Sequence, residues 1–137
     1  MVIVSDGATT LGVRDIEPLQ KLILALKKSG VRRVDVLTVG AAANPDRLRA
    51  LVTAGLEEDG AVINGSGSYE SIARALTRKT VSNIKVFVKG AKWVWPETLD
   101  AMQEGESAVI AVVFDRPVKK VSGRVAGKQF VVDKVAR

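Results

Sequence analysis

The 137 residues contain no cysteine and no histidine. Disulfides, thiol nucleophiles and zinc sites of the usual Cys/His type are therefore excluded, and so is the commonest general base. Any metal must be held by oxygen, which favours magnesium, calcium or manganese. No apolar run reaches the roughly 18 to 20 residues that cross a bilayer; the longest candidates are short pieces such as 108–114. The first residues also lack the basic and long apolar regions of a signal peptide, so none is expected within this chain, and the sequence assigns no compartment.

What is present is ordinary for a globular chain: 47% hydrophobic and 26% charged residues, enough for one real core. The net charge of +6 could point to an acidic partner or nucleic acid, but Lys and Arg are spread along the chain in short groups such as Lys27-Lys28 and Lys119-Lys120. A solvated, mildly basic surface is the simpler expectation.

The apolar run Val2-Ile3-Val4 ends abruptly in Ser5-Asp6-Gly7. That pattern predicts a buried strand of a parallel sheet delivering a carboxylate into a loop, which is where open α/β sheets place their sites. Asp15 then predicts an N-cap, with Ile16, Leu19, Leu22, Ile23 and Leu26 at helical spacing and Gly30 as the C-terminal stop. A second strand is expected over 34–39. Asn44-Pro45 opens a second helix through Leu48, Leu51 and Val52, and 61–63 make a third strand, parallel and near an edge. Ser68 caps a third helix carrying Ile72, Ala73 and Leu76.

From about Thr80 the period changes. Ile84, Val86 and Val88 alternate with Lys85, Phe87 and Lys89, and Trp93 and Trp95 continue that phase. Strands are predicted over 108–114, 118–125 and 129–132, with turns at 104–106, 115–117 and Gly127-Lys128. The predicted fold is α/β: a parallel βαβαβα half of a doubly wound, Rossmann-like sheet over 1–80, followed by an antiparallel β segment over 81–137.

Three places could carry chemistry. Asp6 offers a carboxylate at a strand end, although Asp-Gly also simply makes turns. Asn64-Gly65-Ser66-Gly67-Ser68 is glycine-rich at a helix start, where backbone N–H groups can hold phosphate, but it lacks the Lys-Ser/Thr of a P-loop. Phe87, Trp93 and Trp95 beside Lys85, Lys89 and Lys92 form the pattern on which single-stranded nucleic acid stacks. Since a core strand shows the same spacing, nucleic acid ranks behind a protein partner.

The order of elements in 1–80 resembles the second half of a von Willebrand factor type A domain: a strand ending in Ser5-Asp6-Gly7, a helix, a strand ending in Thr38-Val39-Gly40, then Asn44 with Leu48 and Leu51. The stretches Val81-Ser82-Asn83-Ile84-Lys85-Val86, Val94-Trp95-Pro96-Glu97-Thr98-Leu99 and Glu104-Gly105-Glu106-Ser107-Ala108-Val109 resemble the segment that follows that domain in bacterial relatives of inter-alpha-trypsin inhibitor heavy chains. The resemblance implies a metal-ion-dependent adhesion site holding Mg2+ or another divalent cation, completed by a partner's carboxylate. Of that site's motif this chain matches only Asp6. The Asp-x-Ser-x-Ser loop and the family's metal threonine belong to the half that is absent here.

The expectation is thus a non-enzymatic protein–protein interaction module with at most a partial adhesion site. Asp6 and Thr9 are the candidate metal donors, and Ser5, Gly7, Thr10, Trp93 and Trp95 the candidate binding residues. The expected partner is a protein, either a chain supplying the missing half of the sheet or a second copy. Two alternatives are a Mg-dependent phosphate-binding enzyme using Asp6 and the 64–68 loop, and single-strand nucleic-acid binding through Trp93 and Trp95.

Overall fold

The computed structural model describes residues 1–8, 15–40 and 44–133. The protein is mixed α/β and divides into two compact units, Met1–Val81 with Ala101–Gly105, and Ser82–Asp100 with Glu106–Arg137. In chain order the first unit carries β1 (Val2–Ser5), α1 (Ile16–Ala25) with a 3₁₀ turn at Leu26–Ser29, β2 (Asp35–Thr38), α2 (Pro45–Val52), β3 (Val62–Asn64) and α3 (Tyr69–Thr77). The second carries β4 (Ile84–Val88), β5 (Trp93–Trp95), β6 (Thr98–Leu99), β7 (Ala111–Val113), β8 (Val121–Val125) and β9 (Lys128–Val132).

In the first unit the strands form a parallel sheet in the order β1-β2-β3. The register aligns Ile3, Val36 and Val62 in one row. That row meets Leu48 and Val52 of α2 and the buried Ala101, which returns from after β6 to complete the core. Caps decide the helix boundaries. Asn44 accepts from the Arg47 N–H at 2.9 Å, and Ser68 from the Ser71 N–H at 3.3 Å. Asp15 stands at the α1 cap position but makes no side-chain cap bond. Pro18 at the third helical position has no N–H to offer, which removes one of the two donors a cap side chain uses and leaves only that of Glu17. Gly30 closes the 3₁₀ turn in the left-handed conformation at φ 79°. Leu22, expected in the apolar stripe, is instead 61% exposed; Ile23 is the buried member.

Asp35, near the start of β2, is buried. Its Oδ1 accepts from Arg33 Nη2 at 2.6 Å and Nε at 2.9 Å and from the Ala61 N–H at 2.8 Å. Arg33 Nη1 continues to the Arg78 carbonyl at 2.6 Å. This network ties the start of β2 to β3 and to the end of α3.

The second unit is a pair of antiparallel sheets, β6-β4-β8-β9 and β5-β7. Val86, Val88, Val121, Val125 and Phe130 of the larger sheet and Val112 of the smaller line an apolar cavity of about 340 Å³. Ile84, Val86 and Val88 point inward while Lys85 and Phe87 point out. Two strand expectations shorten. β7 covers only Ala111–Val113, because its partner β5 is three residues long, and Val109 is left 90% exposed. β8 starts at Val121, where β9 begins to pair with it. The final turn is centred on Ala126-Gly127, with φ of 52° and 76°, not on Gly127-Lys128. Two consecutive positive φ angles are what a two-residue hairpin loop needs to match strand twist, so Lys128 already belongs to β9.

Candidate functional site

The end of β1 builds a compact loop from its own residues. Ser5 Oγ accepts from the Gly7 N–H at 3.0 Å, and Asp6 Oδ1 from the Ala8 N–H at 2.9 Å. These bonds turn the chain sharply out of the sheet, and the Val39 N–H anchors the strand end by donating to the Ser5 carbonyl at 3.2 Å. Gly7 has φ 76°, and a Cβ there would lie 3.2 Å from Leu48 Cδ1. The loop is thus seated on α2, leaving the Asp6 carboxylate at the surface. One of its oxygens is committed to the turn.

The same C-terminal end of the sheet carries the 64–68 loop. Gly65 N–H donates to the Thr38 carbonyl at 2.8 Å, Ser66 N–H to Asn64 Oδ1 at 2.9 Å, and Gly67 N–H to the Asn64 carbonyl at 3.3 Å. Thr38 is itself buried, its hydroxyl donating to the Ile63 carbonyl at 3.2 Å. The Gly65, Ser66 and Gly67 amides thus already have acceptors within the loop and the sheet. Ser71 Oγ also donates to the Ser68 carbonyl, at 2.7 Å, closing the helix start.

Ser5, Asp6 and Gly7 therefore form one continuous feature, whereas Thr9 and Thr10 lie outside the described residues. Trp93 and Trp95 belong to the other unit, where β5 pairs them with Val113 and Ala111 and leaves them 48% and 55% exposed. As donors for a hard cation, the described part of the loop offers one carboxylate and one hydroxyl. A calcium ion takes about six to eight oxygens and magnesium about six, so these donors do not by themselves make a closed site. No group of three acidic side chains suited to a metal forms among the described residues.

Beside the loop, β1 is an edge strand. It hydrogen-bonds to β2 on one side and to no other strand among the described residues. Val2 is 45% and Val4 62% exposed. Strands of parallel sheets are ordinarily covered on both faces, so this apolar edge is an unusual surface. No helix among the described residues is long and apolar enough to cross a membrane.

Two features escaped the sequence reading. The Arg33–Asp35 network sits at the start of the apolar strand expected over 34–39, where an acid flanked by Val34 and Val36 is its local signal. The pairing of Phe87 with Arg124 across β4 and β8 has no local signal, because register between distant strands is not written in either strand alone. In comparisons with known proteins, no family model, no curated protein and no solved structure matches the chain.

Proposed function

We propose that this chain is a non-enzymatic protein–protein interaction module that binds through the β1 edge and the Asp6 loop at its end. The reading takes the parallel sheet as half of a doubly wound one, as the likeness to the second half of a von Willebrand type A domain implies. One observation carries it: the exposed valines of an edge strand, Val2 and Val4, lead directly into a surface carboxylate. A strand added to β1 would satisfy its unpaired backbone groups and cover both valines. In the purified chain the strand available is β1 of a second copy. A divalent cation enters only as a shared ion, with Asp6 as one donor and the remaining oxygens supplied from beyond the described residues.

The test is the mass in solution of the wild type and of Val4→Lys, by light scattering across a concentration series, with Mn2+ calorimetry on the wild type and Asp6→Ala. The wild type is expected to associate as concentration rises, and Val4→Lys to stay monomeric. A wild type that remains monomeric throughout, with a mass unaffected by Val4→Lys, would overturn the edge reading. Cation binding that survives in Asp6→Ala would remove Asp6 from any metal role.

A further inference from the structure

The charge of this protein is polarised between its two units. Among the described residues the second unit holds eight Lys and Arg against five Asp and Glu, a net of +3, while the first holds ten against ten, a net of zero. The net positive charge of the described residues thus sits on the antiparallel β unit. Half of the six aromatic residues, Phe87, Trp93 and Trp95, are exposed there by between 48% and 59%.

On the outer face of the larger sheet these two properties coincide. Phe87, 59% exposed, stands opposite Arg124 on β8, and Arg124 stands opposite Gln129 on β9. Lys85 and Lys89 flank Phe87 on the same face of the chain. Phe87, Lys89, Ser122, Arg124, Gln129 and Val131 line a concavity of about 490 Å³. Phe87 also borders a second concavity, about 360 Å³, with Lys85, Lys92 and Trp93. Lys92 is neutralised by Asp115 at 3.1 Å, but no ion pair among the described residues engages Lys85, Lys89 or Arg124. Lys85 Nζ donates to Thr98 Oγ1 at 3.3 Å and keeps its charge. An exposed ring between cations that no described acid neutralises, with an amide and a hydroxyl in reach, matches the two requirements of a single strand: a π surface for a base and positive charge for its phosphates. A duplex, whose bases are stacked on each other, has no use for the ring.

We propose that the outer face of the β6-β4-β8-β9 sheet binds single-stranded nucleic acid, with a base stacked on Phe87 and the backbone following Lys85, Lys89 and Arg124. This goes beyond the edge-pairing function and is independent of it. It also moves the stacking surface from the Trp93/Trp95 strand to Phe87.

The experiment is fluorescence anisotropy of the full chain with a labelled oligothymidylate of about twelve nucleotides, a length within the range one β-barrel domain covers. Three phosphate contacts predict affinity falling roughly twentyfold between about 50 and 200 mM salt. Phe87→Ala should weaken binding about five- to a hundredfold, Arg124→Ala should weaken it and flatten the salt dependence, and Trp95→Ala should leave it unchanged. Circular dichroism checks folding, and Phe87→Leu, which keeps apolar bulk but removes the ring, serves if Phe87→Ala is unstable. Absence of saturable binding at the lower salt would overturn the proposal. So would a Phe87→Ala variant that binds like the wild type while Arg124→Ala does not, which would mark plain polyanion attraction. Equal or tighter binding of a duplex of the same length, or loss of affinity in Trp95→Ala, would overturn it as well.

Discussion

Gly7 carries two constraints at once, a positive φ of 76° and Leu48 Cδ1 only 3.2 Å from where a Cβ would stand. An alanine there must adopt a left-handed backbone and push into α2. Gly7→Ala is expected to destabilise the first unit by about 1–2 kcal/mol, read as a lowered urea midpoint at unchanged slope. At Gly40 φ is similar, 73°, but no atom lies within 4 Å of the virtual Cβ. Gly40→Ala should therefore be the milder change, and equal losses at the two sites would show that packing on Leu48 contributes nothing. The buried acid Asp35 sets the larger effect at this scale. Truncating Arg33 leaves that carboxylate with only the Ala61 N–H among the bonds that hold it, so Arg33→Ala should lose about 3 kcal/mol in the same measurement. The exposed pairs Lys92–Asp115 and Lys120–Asp133 should each matter by less than about 1 kcal/mol.

Between elements, α2 is where the first unit is held together. Its Leu48 and Val52 face Val36, its Asn44 cap closes its start, and the Ala50 carbonyl accepts from Gln20 of α1 at 3.0 Å. Leu48→Ala removes a nearly fully buried side chain from beneath the Asp6 loop and is expected to cost about 2–5 kcal/mol, while Asn44→Ala should cost about 1 kcal/mol. Thermal melts followed by far-UV circular dichroism read both, since the three α-helices among the described residues belong to this unit. A larger loss from the cap than from the core residue would contradict this picture of α2. The edge strand β1 behaves differently. Val4→Lys replaces a valine that is already 62% exposed, so it should leave the melt nearly unchanged and act on association alone.

Across the whole molecule, the uneven charge is the property with consequences at a distance. Fields from clustered cations steer and retain polyanions more than the same charges scattered singly. On a sulfated cation-exchange matrix, Lys89→Glu with Arg124→Glu should elute at markedly lower salt than Lys27→Glu with Lys28→Glu, although both pairs change the net charge equally. Identical elution would mean that retention follows total charge and not the face around Phe87.

Much of this architecture is legible along the chain. The three parallel strands, the three helices and the switch to alternation near Thr80 follow from apolar period, caps and turn residues, which are local properties. Ser68 and Asn44 cap where they do because a side-chain oxygen needs only an N–H two or three residues on. What tertiary structure alone decided is what lies opposite what. Ile3, Val36 and Val62 share a row, Arg124 faces Phe87, and Ala101 returns across the chain to join the core of α2. Even local signals yielded where a distant partner ruled: 108–110 stay outside β7 because β5 has only three residues to pair with. Side chains and turns answer to neighbours in sequence, whereas register, edge exposure and shared faces depend on hydrogen bonding between segments that are far apart along the chain.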